Sequence, residues 1–199
     1  MKPRKVKHLD PQGELADQLE RIVLVRLDEL CAFMPGAEDP REVEALHDMR
    51  IAAKRLRYVL EVAQEVVGPY APKAIKRVKE LQDVLGEIHD ADVHLPGVLA
   101  LAVRAREADV ADARARAGSD EVTPADVADA PNAAAHRGLA TLAAYHQARR
   151  EQHFARFLGL WTELERDGFR ARLEYAAGER PSHKALTVPT RPRARTHSG

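Results

Sequence analysis

The chain of 199 residues holds 31 Lys and Arg, 31 Asp and Glu, and a single cysteine. This length suits one domain with a hydrophobic core, and one cysteine excludes a disulfide framework or a zinc site built on paired cysteines. Because the formal net charge is zero, the composition also excludes a globally basic protein that attracts nucleic acid through its overall charge. Any polyanion site must therefore arise from segregation of charge within the fold.

No apolar run approaches the ~20 residues of a membrane span, and the basic N-terminus lacks the apolar core of a signal peptide. We therefore expect a cytoplasmic protein with no membrane partner. Residues 1–10 are predicted to form a flexible basic arm. Apolar residues then recur at intervals of three and four from residue 11 to 34, which predicts a helix that ends at Pro35 and Gly36.

The second helix is predicted to run from Asp39 to Val67, with Asp39 as its cap and Pro40 at its first position. Apolar residues cover most of its circumference and leave one narrow polar stripe. This stripe consists of His47, Arg50, Lys54, Arg57, Tyr58 and Glu61.

A third helix is predicted over 72–94, with a break or a kink at Pro96 and Gly97 before a fourth helix over 98–115. Within the third helix, Gly86 lowers helix propensity and indicates that another backbone comes close. Residues 117–131 form an acidic connecting loop, in which Thr123 and Pro124 can start one helical turn.

A long helix from Asn132, bent around Gly159, reaches residue 164 and a further helical stretch reaches 176. Residues 178–199 are predicted to be a disordered basic tail. No strand pattern stands out, so the fold class is all-α. We expect residues 11–177 to form a compact antiparallel helical bundle with a basic central groove or channel.

The stripe on the second helix has two interpretations. Lys and Arg most often line a solvated helix face. The apolar residues that surround this stripe favour an enclosed, wet groove, in which aligned cations repel one another unless an anion is bound. Arg and Lys bind phosphate oxygens through charge-assisted hydrogen bonds, and a row of cations ~5.4 Å apart per turn suits a linear chain of phosphates.

Two His-Asp doublets, His47-Asp48 and His89-Asp90, allow a second hypothesis. A metal-dependent phosphohydrolase could use them to activate a water molecule. However, His47 and Asp48 point about 100° apart on a helix, and histidines that serve only as hydrogen-bond donors or surface groups explain the pattern as well. No nucleophile elbow, Walker loop or dinucleotide fingerprint is present.

The late helix carries a third group of basic residues that point in the same direction as core residues. It is either a mixed surface helix or the other wall of the same channel. The group consists of His146, Arg149, Arg150, His153 and Arg156.

Two segments, LHDMRIAAKRLRYVLE over 46–61 and LQDVLGEIHDADV over 81–93, resemble the signature of the CHAD family, the conserved histidine α-helical domain. The resemblance implies a compact helical domain around a basic cavity that binds inorganic polyphosphate without catalysis. It is closest over residues 14–95 and looser over 132–176. It places ligand-facing positions at His47, Arg50, Lys54, Arg57 and Tyr58, with Arg55 beside them and Lys76 and Lys79 on the neighbouring helix.

Members of this family tend to show the His-x-x-Arg motif twice, whereas this sequence has one clear copy. The second wall of the channel therefore comes either from the group at 146–156 or from a second subunit, so a homodimer stays open. The expected partners are inorganic polyphosphate, polyphosphate granules or a polyphosphate-metabolising enzyme, with no metal and no cofactor. The alternatives are the metal-dependent phosphohydrolase and a nucleic-acid-associated protein that acts through its basic tails.

Overall fold

The computed structural model describes residues 2–128 and 130–179, and every regular element in these two ranges is helical. The all-α prediction is therefore confirmed for this part of the chain. One 3₁₀ turn, Gly68–Tyr70, links the fourth and fifth helices. The α-helices are α1 (Leu15–Cys31), α2 (Met34–Ala37), α3 (Val43–Val62), α4 (Gln64–Val67), α5 (Ala71–Ala117), α6 (Pro124–Ala128), α7 (Ala133–Arg166) and α8 (Phe169–Gly178).

One hydrophobic core holds the bundle together, and every α-helix of the described ranges except α6 contributes to it. Each supplies side chains that are almost fully shielded from solvent, and burying each one contributes roughly 1.5–3 kcal/mol. Examples are Leu27 from α1, Leu56 from α3, Leu81 from α5, Phe157 from α7 and Leu173 from α8.

Helix α3 begins at Val43, four residues later than predicted. The reason is the side chain of Asp39, which accepts a hydrogen bond of 2.9 Å from the backbone N–H of Arg41. The same carboxylate forms an ion pair with the Arg41 guanidinium. This local bond closes a turn around Pro40 in place of a helix cap. Beyond it, Met49, Leu56 and their neighbours form the buried apolar stripe that the sequence predicts.

The predicted break at Pro96 and Gly97 is wrong, because α5 continues without interruption for 47 residues. A proline inside a helix removes one backbone donor and leaves the carbonyl four residues earlier without its partner. Here Pro96 and Gly97 are both exposed, so water can satisfy that carbonyl. Packing against α7 along the same length then keeps the helix continuous.

Residues 98–117 of α5 and 133–150 of α7 run antiparallel beyond the core, and we call these two segments the α5–α7 hairpin. Helix α6, which Thr123 starts as predicted through its bonds to Asp126, lies in the connection between them. None of the described residues of this hairpin belongs to the hydrophobic core cluster.

The two ends of the chain differ from the central bundle. No helix forms before Leu15, yet Arg4 is held on α1 by an ion pair with Asp28 and a 3.2 Å hydrogen bond from its backbone N–H to Glu29. At the other end, α8 reaches Gly178, and most of the predicted tail lies outside the described residues. No helix among the described residues is long and apolar enough to cross a membrane.

Candidate anion-binding groove between α3 and α5

Helices α3 and α5 meet where glycine removes a side chain from α5. A Cβ atom on Gly86 would lie 3.7 Å from the Nε atom of Arg50. The close neighbour is thus a guanidinium, and not the backbone that the sequence predicted. This contact places Arg50 against α5. We use the name α3–α5 groove for the candidate site formed by His47, Arg50 and Lys54 of α3 with Gly86 and His89 of α5.

One helical turn along from this contact, a histidine of α3 contacts a histidine of α5. The Nδ1 atoms of His47 and His89 are 3.4 Å apart and the ring centres 4.8 Å apart. Burial lowers the pKa of His89, and the nearby Arg50 and His47 lower it further. At this distance the Nδ1–H of one ring can donate a hydrogen bond to the Nδ1 atom of the other.

In the other direction, Lys54, Arg57 and Tyr58 continue the row on α3. The guanidinium carbon of Arg57 lies 4.7 Å from the centre of the Tyr58 ring, and the Nζ atom of Lys54 lies 5.8 Å from it. Arg57 Nε is 3.4 Å from the carboxylate of Glu61, but this buried nitrogen makes no hydrogen bond. The aromatic face therefore holds two cations beside each other at the surface.

Two cations of the row on α3 have no carboxylate partner. Within residues 2–128 and 130–179, neither Arg50 nor Lys54 forms an ion pair with a carboxylate, although Arg50 is half-buried. Two neighbouring cations without a carboxylate partner produce a local positive potential that an anion would relieve.

One further residue of α5, Gln82, shares a face with Gly86 and His89. The three follow one another at intervals of four and three, so they lie on one side of the helix. The buried Oε1 atom of Gln82 has no hydrogen-bond partner, and a half-turn of the amide would present its N–H₂ donors instead. Gln82 is not among the residues predicted from the sequence, and its spacing to Gly86 and His89 was the available signal.

The outer edge of α5 beside the groove is formed by residues at intervals of four, three and four. These residues are Lys79, Asp83, Gly86 and Asp90. Lys79 is exposed and has no ion pair among the described residues. Asp83 and Asp90 are also exposed, so the edge carries both signs of charge. Lys76 points further round, 4.0 Å from Glu80, and is 77% exposed.

The structure places Arg55 elsewhere. Its Nη1 atom donates a 3.0 Å hydrogen bond to Glu29 on α1, and Arg26 donates to the second carboxylate oxygen. Since Glu29 is only 1% exposed, these bonds compensate a buried charge. Arg55 thus belongs to the packing of α1 on α3 and is not grouped with Arg50 and Lys54.

The cations of α7 are matched by carboxylates on α5. Arg149 forms an ion pair with Glu87, and Arg150 pairs with Asp92 and donates a 2.7 Å hydrogen bond to the carbonyl of Pro40. Glu87 points roughly opposite to the Gly86–His89 face on the helical wheel. Both arginines therefore bind carboxylates of α5, and Arg150 also contacts the segment that leads into α3.

The other three basic residues predicted on α7 differ among themselves. The ring centres of His146 and His94 are 5.6 Å apart. His153 lies 3.9 Å from Glu87, and its buried Nδ1 atom has no hydrogen-bond partner. Arg156 is exposed and makes no ion pair with any residue that the structure describes. The α7 group is thus brought together along one helix, and four of its five members contact side chains of α5.

The His-Asp doublets do not form a ligand set in the described ranges, where no group of three or more His, Cys, Asp or Glu side chains is placed to hold a metal ion.

A family model described as "CHAD domain" matches residues 3–95. The match covers α1 to α4 and the part of α5 that lines the groove, and it ends just before the α5–α7 hairpin. Searches of curated proteins and of solved structures find no match to this chain.

Proposed function

Because residues 3–95 belong to the CHAD domain family, we propose that this protein binds inorganic polyphosphate in the α3–α5 groove and does not turn it over. The family resemblance supplies the ligand class, and the charge distribution supplies the location. The single observation that carries the proposal is the pairing state of the cations. Arg50 and Lys54 have no carboxylate partner in the described part of the chain, whereas Arg149 and Arg150 do.

In this mechanism, each residue of the groove contacts a different part of the polymer. Arg50 and Arg57 bind phosphate oxygens through their planar forks, and Lys54 adds a point charge between them. The Tyr58 ring holds Lys54 and Arg57 in position, and the Tyr58 hydroxyl offers a hydrogen bond to the polymer. The spacing of one helical turn, ~5.4 Å, lets side chains one turn apart contact different phosphates of the same polymer.

Two residues at the ends of the groove extend the contact. His47 donates from its ring to a phosphate oxygen, in place of its contact with His89. Lys79 neutralises charge from the outer edge of α5. Binding of these Lys and Arg side chains would release the counterions condensed on polyphosphate. The affinity should therefore fall steeply with salt concentration, as it does for nucleic acids.

We place the α7 residues in a secondary role. A polyanion that crosses α5 would have to compete with Glu87 and Asp92 for the two arginines of α7. We therefore assign to this group contacts that form only with long polymer. Its members are His146, Arg149, Arg150, His153 and Arg156, and Lys76 lies on the same side of the polymer path.

Association with polyphosphate granules or with a polyphosphate-metabolising enzyme is part of the same proposal, because the polymer itself would connect them. A cytoplasmic location stays a prediction. For Arg55, we propose a structural role through Glu29, without direct contact with the ligand.

The test is a titration of long-chain polyphosphate at two salt concentrations against the wild type and the triple variant R50A/K54A/R57A. A charge-matched control, R104A/R114A/R137A, removes three exposed arginines from the α5–α7 hairpin. Charge-assisted hydrogen bonds contribute about 1.5–3 kcal/mol each, so the groove variant should bind at least a hundredfold more weakly. The salt dependence of log K should also become shallower by about two.

Equal losses in the groove variant and the control would show that net charge alone matters, and the groove proposal would then be wrong. Unchanged, salt-insensitive binding in both variants would also overturn it. Single-stranded DNA as a competitor separates polyphosphate from a general polyanion preference: displacement of polyphosphate at equal phosphate concentration would assign the groove to nucleic acid.

A further inference from the structure

The α5–α7 hairpin is held together by very little apolar burial. The α5 residues that turn toward α7 recur at intervals of three and four, as in a coiled coil, but most of them are alanine. In α5 beyond residue 97, only Val98, Asp109 and Ala113 are buried, and in α7 no residue before Phe157 is buried. A two-helix pair with so small a seam gains little from the hydrophobic effect.

At the same time, the hairpin exposes large apolar side chains. Val103 is 55% exposed and Val110 is 53% exposed, and Leu99 lies beside them with half of its surface accessible. Leu99, Val103 and Val110 are separated by four and seven residues, so they share one face of α5. Contiguous apolar surface of this kind marks an interaction site more often than isolated apolar residues do.

This face borders an open groove with a volume of about 710 Å³. Leu139, Ala140 and Ala143 of α7 form its second wall, and Val127 of α6 lies at its end. Small and branched apolar side chains on two parallel ridges form the kind of surface into which another helix packs.

We propose that the groove of the α5–α7 hairpin binds the same hairpin of a second copy of this chain, so that two hairpins form a four-helix bundle with two-fold symmetry. Each hairpin alone has an apolar face that is open to solvent. In a symmetric contact the two identical faces cover each other, which supplies the core that the alanine seam lacks.

The size of the face agrees with such a dimer. Twenty helical residues are ~30 Å long, and two helices side by side are ~20 Å wide. The contact would therefore bury about 600 Å² on each copy, or about 1,200 Å² in total, which is at the lower limit of stable protein interfaces.

The charges of the hairpin do not call for a partner of strong opposite charge. Residues 98–117 carry four basic and three acidic side chains, and residues 133–150 add three arginines. Two of these, Arg149 and Arg150, are paired with Glu87 and Asp92 of α5. The remaining charge on each hairpin is small and positive, so two copies repel each other only weakly. The charged residues of 98–117 are Arg104, Arg106, Glu107, Asp109, Asp112, Arg114 and Arg116.

Sedimentation equilibrium of the full chain from 1 to 100 μM tests the proposal. The wild type should reach twice the chain mass of 22.1 kDa, and V103E/V110E should raise the dissociation constant at least tenfold. The matched control is L101E, which introduces a charge at an equally exposed residue of the same helix that does not line the groove. Helix content from circular dichroism verifies that the variants fold.

A wild type that stays monomeric at 100 μM overturns the proposal. So does a dimer that resists V103E/V110E, or one that L101E dissociates to the same extent. A direct readout comes from a single cysteine at Val103 in a Cys31→Ser background, which should form a disulfide-linked dimer on oxidation, whereas a cysteine at Leu101 should not. These measurements need no polyphosphate, so their outcome is separate from that of the proposed function.

Discussion

The Nδ1 atoms of His47 and His89 lie 3.4 Å apart at one end of the α3–α5 groove. At this distance both rings cannot carry a proton on these atoms without repulsion, unless an anion lies beside them. Besides His47, the charged groups that act on His89 are Arg50 from α3 and Asp90 and Asp92 from its own helix. Burial, Arg50 and His47 outweigh the aspartates, so the pKa of His89 is lowered.

Polyphosphate binding should therefore strengthen as the pH falls from 8 to 6. In the free protein His89 is neutral near pH 7, and a bound polyanion favours the protonated ring, so binding takes up a proton. We expect the affinity to rise several-fold over this range, and calorimetry in two buffers of different ionisation enthalpy should show proton uptake. His89→Asn should remove the uptake, and an unchanged pH profile in that variant would refute the role of this histidine.

The same shift affects the stability of the ligand-free protein. Because the folded state lowers the pKa of His89, the unfolded chain binds this proton more readily. The contribution of His89 to the free energy of unfolding is therefore unfavourable below the ordinary histidine pKa of about 6.5 and disappears above it. Urea unfolding at pH 5.5 and 7.5 should show a smaller difference in His89→Asn than in the wild type.

Removing negative charge from the edge of the groove should tighten binding. Asp83 and Asp90 are exposed on the outer edge of α5, where they oppose a polyanion. We expect D83N/D90N to bind long-chain polyphosphate several-fold more tightly at low salt, with the gain reduced at high salt because exposed charges are screened.

A control for this prediction is available in the loop between α5 and α6. D120N/E121Q makes the same change in net charge at exposed residues far along the chain from the groove. If this control tightens binding as much as D83N/D90N does, the effect comes from net charge and not from the position of the carboxylates.

Gly86 can be tested separately from the cations. A Cβ atom there would be in ordinary van der Waals contact with Arg50, so Gly86→Ala should stabilise the fold by about 0.5–1 kcal/mol through helix propensity and leave binding nearly unchanged. Gly86→Leu should fill the groove and weaken binding at least tenfold. Thermal unfolding and titration measure the two effects.

The matched control for Gly86 is Gly138, an exposed glycine in α7 with no atom within 4 Å of a Cβ placed on it. Gly138→Ala and Gly138→Leu should both leave polyphosphate binding unchanged. Equal binding by the wild type and Gly86→Leu would contradict the location of the groove.

Glu29 should matter for stability and not for ligand binding. It is buried with ion pairs to Arg26 and Arg55, and its removal takes away a carboxylate that two partly shielded guanidinium groups share. We expect Glu29→Ala to lower the free energy of unfolding by about 3 kcal/mol. Arg55→Ala, which leaves Glu29 paired with Arg26, should cost about 1 kcal/mol.

Urea unfolding measures both values, and polyphosphate titration of Arg55→Ala provides the comparison with the groove. We expect its affinity to stay within about twofold of the wild type. A loss as large as that of an Arg50→Ala variant would place Arg55 among the ligand contacts instead.

Apolar periodicity predicted the helical fold well, because the buried stripe of α3 and the core residues of α5 follow the helical repeat closely. The continuity of α5 could not be predicted, since a proline is tolerated inside a helix only when the freed carbonyl is solvated, and this depends on tertiary position. The late start of α3 has a local cause, the side-chain bonds between Asp39 and Arg41.

For the site, the sequence identified the residue types but not their partners. The spacing of Arg50 and Lys54 placed them on one face, and the family match covers them. The ion pairs of Arg149 with Glu87 and of Arg55 with Glu29 join residues 62 and 26 positions apart. Such pairings depend on how helices pack against each other, which intrahelical spacing does not reveal.

The continuity of α5 through Pro96 fixes the distance between the groove and the hairpin. The helix carries Gly86 in the groove and Val103 in the hairpin on a single rod, ~26 Å apart at 1.5 Å per residue. Two copies joined through their hairpins would hold their grooves about 50 Å apart at a fixed separation. Such an assembly would bind long and short polymers with different affinity. A polymer long enough to reach both grooves gains affinity from bivalent attachment, whereas a short oligomer binds each copy independently.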